Sequence, residues 1–372
     1  MRYRDRSVIG TSGFRYYRIT GTAIAPRPIC LRTYLSLAAG FVLLLTSQAA
    51  AQKPDLSALE TTLERIAGRA RGKVGVALIH LESGATVDVR GHEPFPMASV
   101  VKLPIAIEVL KQVAEGRLTL DRVVWLASSD IRPCCTLERR HPKGGVSRTV
   151  SELLALAMVE SDNTAADALL KLAGGAEVVE RRLRSMGFQA INVDRSEGQL
   201  LLDMAGVTNA PPAEQWTIEL QRRLVADVDR ASLSVGRARY LTDPRDTATP
   251  NETAQLLGRL QLADLLPQAE TDLLLDLMAQ TTTGARRIKG RLPPETMVAH
   301  KTGTTAVVIN DAGIITLPAD SKLAGRLALA VFVADGSSIA AMERLVAQIG
   351  AAAFEFFTGK AIPVRPRVAR HR

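Results

Sequence analysis

A serine and a lysine three residues apart, Ser99 and Lys102, are the first pair in this chain that could carry out covalent chemistry. They stand in the segment Phe95-Pro-Met-Ala-Ser-Val-Val-Lys, where a helix is predicted to begin at the serine. Positions i and i+3 share a helix face, so the amine could reach the hydroxyl, and the helix N-terminus would favour an alkoxide there. The spacing therefore predicts a nucleophilic serine, although Ser-x-x-Lys is also common by chance.

Two further clusters follow at a distance. Ser161-Asp162-Asn163 lies between two predicted helices, where these residue types are also ordinary N-caps. The segment from His300 to Thr304 (HKTGT) ends a predicted strand, and its glycine would permit close approach of a ligand. Each cluster has an ordinary explanation when taken alone. Their presence in this order, with a helical stretch between the first and the third, indicates a shared site.

The elements that must position these clusters are strands near both ends and helices between them. The periodicity predicts strands at 73–81, 86–89, 297–302, 307–317 and 327–334. A capping box, Thr149-x-x-Glu152, opens one of the helices between them. We therefore predict an α/β (α+β) fold, with an antiparallel sheet built from both chain termini, flanking helices and an inserted all-helical domain. The cleft between the two is the natural site.

The predicted organisation has five segments. These are a lead and signal peptide at 1–51, a sheet domain at 52–95 and 292–360, a helical domain at 96–291 with an Ω-like loop and an insertion at 198–245, and a basic tail at 361–372.

The N-terminal segment has the layout of a secretory signal peptide. An apolar stretch at 34–46 follows Arg27 and Arg32 and ends in three alanines. It is too short for a comfortable membrane span, which favours a cleaved signal peptide over the alternative, an uncleaved anchor. We expect cleavage near Ala51, a periplasmic or secreted protein, and no stable membrane anchor after cleavage. The polar lead is long, so the true start could lie downstream.

The charge of +9 is concentrated outside the body of the chain. Residues 1–51 hold seven arginines and one aspartate, the C-terminal tail adds five cations, and residues 52–359 carry a net charge of −2. A nearly neutral body argues against a nucleic-acid groove.

Metal and disulfide sites are not expected. The five histidines are scattered without metal-ligand spacing, so we predict no metal and no cofactor. Cys134 and Cys135 are the only cysteines after residue 51, and adjacent cysteines rarely bond each other. We therefore expect no disulfide. The gate near Cys134–Thr136 follows no recognisable pattern.

The three clusters together are the signature of class A serine β-lactamases and penicillin-binding proteins. From about residue 55 to 358 the chain resembles class A β-lactamases. Further agreement comes from the segments at 243–250 (DPRDTATP), 282–284 (TTG) and 310–313 (NDAG).

The resemblance implies roles for these residues. Ser99 would be the acylated nucleophile, with Lys102 as its proton relay and Ser161 passing a proton to the lactam nitrogen. The N–H groups of Ser99 and Thr304 would form the oxyanion hole. The implied substrate-binding residues are Asn163 for the amide, Lys301 and Thr302 for the carboxylate, Gly303, Thr304 and Arg287.

The resemblance also implies a deacylating base. Glu197 follows Arg195 at the position expected for it. Leu201 stands where the family usually has an asparagine that helps to hold the water. Glu197 and Asp246 are also much further apart than in the family, so the loop is expected to hold a helical insertion at roughly 211–240.

These features predict a monomeric β-lactamase that acts on a small β-lactam through a Ser99 acyl-enzyme and deacylates it with the help of Glu197. A D-alanyl-D-alanine peptidase and a lactam-binding module that stays acylated are the alternatives, and Glu197 argues against both.

Overall fold

The computed structural model describes residues 53–362. The signal peptide and most of the basic tail predicted from the sequence lie outside these residues. The helices are α1 (Ser57–Ala67), α2 (Lys102–Ala114), α3 (Cys135–Arg140), α4 (Val150–Val159), α5 (Asn163–Ala173), α6 (Ala176–Ser185), α7 (Glu197–Ala205), α8 (Ile218–Ala226), α9 (Arg230–Thr242), α10 (Pro250–Gln261), α11 (Gln268–Ala279) and α12 (Ile339–Thr358). The strands are β1 (Lys73–His80), β2 (Ala85–Val89), β3 (Phe95–Pro96), β4 (Val123–Leu126), β5 (Val146–Thr149), β6 (Thr247–Ala248), β7 (Val298–Thr304), β8 (Val308–Thr316) and β9 (Arg326–Ala334).

The central sheet has five antiparallel strands in the order β2-β1-β9-β8-β7. Strands β1 and β2 come from the start of the described chain, and β7 to β9 come from its end. The prediction of a mixed fold with one antiparallel sheet built from both ends is therefore confirmed. Lys301, a predicted substrate-binding residue, lies on β7. This strand is at the edge of the sheet, so one side of it is free to face a cleft.

Strand β9 shows why the sheet lies in the middle of the molecule. Leu329, Val331 and Val333 pack with α1 and α12 on one face, whereas Ala330 and Phe332 pack with the remaining helices on the other. Alternate side chains point to opposite faces of a strand, so a strand covered on both faces must be apolar throughout. The sheet is thus sandwiched between two helical layers.

The segment between the sheet strands is mostly helical, but not wholly so. A short antiparallel pair, β4 with β5, lies within the region predicted as all-helical, and β3 pairs with β6. Strands of two to four residues are too short to show a period of two. The division into a sheet domain and a helical domain stays a prediction.

Residues 53–362 contain neither a helix that could span a membrane nor a metal-binding cluster. No helix there is long and apolar enough to cross a membrane. No group of three or more potential ligands is placed to hold a metal ion in that part of the chain.

Candidate active site

Ser99 lies in a 3₁₀ turn, Ala98–Val101, that continues directly into α2. The backbone before it is fixed by Asn310 of β8, whose Nδ2 donates to Pro96 O at 2.8 Å and to Met97 O at 2.9 Å. Strand β7 passes so close that a Cβ on Gly303 would lie 2.4 Å from Met97 O. Glycine is therefore required at that position to bring the end of β7 beside the serine.

The amine of Lys102 contacts three of the predicted site residues. It is fully buried and donates to Ser161 O at 2.6 Å and to Asn163 Oδ1 at 2.7 Å. Its Nζ also lies 3.1 Å from Glu197 Oε1, although the geometry gives that oxygen no hydrogen bond from any described residue. Because a buried ammonium must be paired, the lysine holds these three groups around the helix turn that carries Ser99.

Ser161 lies between two buried amines. Its Oγ accepts from Lys301 Nζ at 2.8 Å and lies 3.4 Å from Lys102 Nζ. Burial, followed by the positive charge of Lys102, holds the pKa of Lys301 well below that of an ordinary lysine. Since the oxygen of Ser161 accepts a hydrogen bond from Lys301, its own hydroxyl hydrogen is left free to point into the cleft.

The neighbours of Ser161 serve partly as a cap. Asp162 caps α5 by accepting from Ala165 N at 3.1 Å, as expected of this residue type, and it also accepts from Leu137 N at 2.8 Å. The cap fixes the backbone between α4 and α5, which presents Ser161 and Asn163 to the cleft.

Arg287 stands behind the end of β7. Its guanidinium donates to Gly303 O at 3.0 Å, to Asn310 O at 2.9 Å and to Thr304 Oγ1 at 2.6 Å. It is almost fully buried, and its Nε lies 3.5 Å from a carboxylate oxygen of Glu343. Arg287 is thus one side chain behind the surface of the cleft, and Thr304 lies between them.

Glu197 is the first residue of α7. The Oγ of Ser196 caps the helix by accepting from Gln199 N at 3.2 Å. The carboxylate of Asp167, on α5, accepts from Glu197 N at 2.6 Å and from Gly198 N at 3.2 Å. Acceptors at a helix N-terminus fix its first turn, so α5 sets the position of Glu197.

A second pair supports that arrangement from the far side. Arg132 Nε donates to Asp167 Oδ2 at 2.6 Å, and its guanidinium carbon lies 5.4 Å from the ring of Trp216. Trp216 belongs to the predicted insertion. Sequence reasoning missed both Arg132 and Asp167, because they are 35 positions apart and form no local pattern.

The ends of the insertion are tied by Arg195. Its Nε donates to Asp246 Oδ2 at 2.6 Å, and its Nη1 donates to Asp203 at 2.9 Å and to Asp243 at 3.1 Å. Arg195 is therefore engaged with these three aspartates, while Lys102 is the cation beside Glu197.

These groups surround a cleft of about 400 Å³. The predicted site residues that line it are Ser99, Ser161, Asn163, Glu197, Thr302 and Thr304. Lys102 and Lys301 are buried behind this lining, and the Thr302 hydroxyl lies 2.6 Å from that of Thr283. Leu200, Leu201 and Met204 give the α7 side an apolar surface.

The expectation of no disulfide was wrong. Cys134 and Cys135 are bonded to each other and line the cleft. Both residues have positive φ, +102° and +79°, and this uncommon backbone brings their side chains together where ordinary strand or helix geometry would not. Cys134 N donates to Glu138 Oε2 at 2.8 Å, and Cys135 Sγ lies 3.7 Å from Ser161 O.

Comparison with known proteins gives consistent matches. Residues 58–357 match the family described as the β-lactamase enzyme family. The chain is 28% identical to β-lactamase VEB-1 of Pseudomonas aeruginosa over 313 residues, which cover 81% of this chain and 91% of that protein. A β-lactamase structure from Chitinophaga pinensis aligns with TM-score 0.67 at 31% identity, covering 80% of this chain and 99% of the other. An ancestral class A β-lactamase aligns with TM-score 0.66 at 29% identity, covering 80% and 100%.

Proposed function

This chain belongs to the β-lactamase enzyme family and is a serine β-lactamase of class A, and we propose that Ser99 carries its acyl-enzyme. The observation that carries the assignment is the Lys102 ammonium, which joins Ser161, Asn163 and Glu197 beside the helix turn of Ser99. One buried cation thus connects the nucleophile's neighbourhood to two proton-handling groups.

Acylation would begin with attack of Ser99 Oγ on the lactam carbonyl carbon. The serine proton would pass to the cluster of Lys102 and Glu197 as the new C–O bond forms. The N–H groups of Ser99 and Thr304 would stabilise the tetrahedral oxyanion. As the C–N bond breaks, Ser161 would give its proton to the lactam nitrogen and recover one from the adjacent amines.

Deacylation would use water and Glu197. The carboxylate would take a proton from the water as the water oxygen attacks the ester carbon. Ser99 would regain its proton as the ester bond breaks. Glu197 lines the cleft, and Asp167 fixes its backbone. A carboxylate held in that position favours hydrolysis over the peptidase and binding alternatives.

Substrate binding would depend on the end of β7 and on α5. Lys301 and Thr302 would hold the substrate carboxylate, and Asn163 would hold its amide. Gly303 would let β7 approach, while Arg287 would act on the carboxylate through Thr304, which it contacts at 2.6 Å.

The test is hydrolysis by the purified protein. Incubation with a chromogenic cephalosporin and with benzylpenicillin should show ring opening, and intact mass should show a transient adduct of one ligand. Ser99→Ala should abolish both signals. An adduct on Ser99→Ala would place the nucleophile elsewhere, and an adduct that never clears from the wild type would favour a binding protein.

Export and a monomeric state are further proposals. The comparison proteins are β-lactamases, and the lead segment of this chain has the signal-peptide layout, which supports export. N-terminal sequencing of secreted protein should find Gln52. Residues before 34 at the mature N-terminus would contradict this, and light scattering would test the monomer.

A further inference from the structure

Among the described residues that line the cleft, α7 places no polar side chain beside Glu197. Leu200, Leu201 and Met204 face the cleft from that helix, and none of them can donate or accept a useful hydrogen bond. A carboxylate that must activate water benefits from a second hydrogen-bonding group nearby. That group must come from another element.

Helix α9, in the insertion, crosses α7 at very short distance. A Cβ on Gly236 would lie 2.6 Å from Gly206 N and 2.7 Å from Met204 O, so only glycine allows the crossing. Tyr240 is four residues after Gly236 and therefore lies on the same face of α9, directed toward α7. The close crossing fixes the tyrosine relative to the helix that begins with Glu197.

Tyr240 is an unusual residue for this helix. Gly236 and Tyr240 are the two buried residues of α9, and Tyr240 is only 3% exposed. Its hydroxyl has no hydrogen-bond partner among residues 53–362. An unpaired buried hydroxyl is costly, and phenylalanine would fill the same space without that cost. The hydroxyl therefore needs an explanation other than packing.

The charges around the hydroxyl point to the active site. Burial raises the pKa of Tyr240 most strongly, followed by the negative charges of Glu197 and Asp246. The positive charge of Arg195 lowers it, as does the N–H of Ala98, which is near the oxygen but outside hydrogen-bonding geometry. The hydroxyl thus stays protonated and able to donate. Met204 lines both the cleft and a small cavity of about 140 Å³ beside Tyr240, so a single side chain of α7 borders both spaces.

We propose that Tyr240 is a positioning residue for deacylation, whose hydroxyl donates to the carboxylate of Glu197 through one water. This inference rests on the proposed function of Glu197. It assigns the insertion a role: α9 supplies the hydrogen-bonding group that α7 lacks. Tyr240 acts through Glu197 and does not itself touch the substrate, since it is absent from the lining of the cleft.

The kinetic test is Tyr240→Phe, with Thr242→Val as the matched control. Both changes remove one hydroxyl from α9, but Thr242 is exposed and donates to Arg239 O. Tyr240→Phe should slow deacylation by about tenfold or more, because the water-mediated hydrogen bond to a charged group is lost. The burst of acylation and kcat/KM should stay near wild type, so kcat and KM should fall together. Thr242→Val should change none of these.

The comparison of kinetic steps with stability separates positioning from packing. Unchanged deacylation in Tyr240→Phe would overturn the proposal. Equal losses of acylation, deacylation and melting temperature would also overturn it, since they indicate packing alone. A wild type that forms no adduct would instead refute the proposed function.

A spectroscopic measurement gives a second readout on the wild-type fold. In protein labelled with ¹³C at the tyrosine ring carbon that bears the hydroxyl, the resonance missing from Tyr240→Phe identifies Tyr240. Glu197→Gln should shift that resonance, because the hydroxyl would then face a differently held water. Thr242→Val should leave it in place. A resonance that ignores Glu197→Gln would overturn the proposal.

Discussion

The two sides of the cleft are held in different ways. On the acylating side, Ser99 and Lys301 stand on elements whose backbones pack directly, with Gly303 of β7 against Met97 O and Asn310 holding the turn before the serine. On the deacylating side, Glu197 begins a helix whose first turn depends on the side chain of Asp167. One side is fixed mainly by the framework and the other by paired side chains.

This difference indicates where variation is tolerated. The insertion packs mainly on the deacylating side, where Trp216 lies against Arg132 and Gly236 of α9 crosses α7, although α9 also contacts β3 just before Ser99. The backbone packing beside Ser99 is close and leaves little room for larger changes. We therefore expect substitutions on the two sides to affect different steps of one reaction.

Glu197→Gln is expected to give the largest difference between the rates of deacylation and acylation. Positioned general bases contribute about 10² to 10⁴ in rate, so turnover should fall by that range while the first burst of acylation persists. Stopped-flow absorbance with intact mass measures both steps. Glu160→Gln is the control, since Glu160 also lines the cleft. Turnover of Glu197→Gln at the wild-type rate would make Glu197 a structural carboxylate.

The pH dependence of kcat/KM tests the role of Lys301 on the acylating side. Its lowered pKa means that the ammonium is lost at lower pH than in an exposed lysine, and only the ammonium attracts the substrate carboxylate. Well above that pKa, kcat/KM should fall about tenfold per pH unit. In Lys301→Arg the side chain stays charged, so the alkaline limb should move to higher pH. An identical limb in both proteins would show that another group titrates.

Arg287→Gln tests the support behind β7. Thr304 would lose its charged partner, and the carbonyls of Gly303 and Asn310 would lose a buried donor. Hydrogen bonds to charged groups contribute about 1.5–3 kcal/mol, so KM should rise about tenfold or more and the melting temperature should fall. Deacylation of a preformed adduct should change little. A larger loss of deacylation than of KM would contradict this division.

The sequence predicted the acylating side well because its information is local. Ser99 and Lys102 are three residues apart, and the five strands of the sheet are themselves short apolar or alternating runs in the sequence. The deacylating side depends on pairs that no local pattern reveals. Arg132 and Asp167 are 35 positions apart, and Asn310 holds a backbone more than 200 positions away.

Two other features could not have been predicted for related reasons. The disulfide between Cys134 and Cys135 requires positive φ at two successive non-glycine residues, which sequence statistics disfavour. The tyrosine at 240 is ordinary in a helix until the crossing at Gly236 is known. Both features arise from tertiary contacts that override local preference.

The smallest expected effect comes from removing a helix cap on each side. Ser196→Ala removes the acceptor for Gln199 N at the start of α7, and Thr149→Ala removes the acceptor for Glu152 N at the start of α4. Each should cost about 1 kcal/mol of unfolding free energy. For a chain of this size, that loss lowers the melting temperature by about 2–4 °C.

The two cap variants should nevertheless differ in their kinetics. Glu197 directly follows Ser196, so fraying of the first turn of α7 moves the base itself and should slow deacylation by a few fold. Thr149 is a full helix away from Ser161, and its loss should leave both steps unchanged. Calorimetry and single-turnover kinetics on the two variants measure the pair. Equal kinetics despite equal destabilisation would mean that Asp167, which accepts from Glu197 N, holds the base without help from the cap.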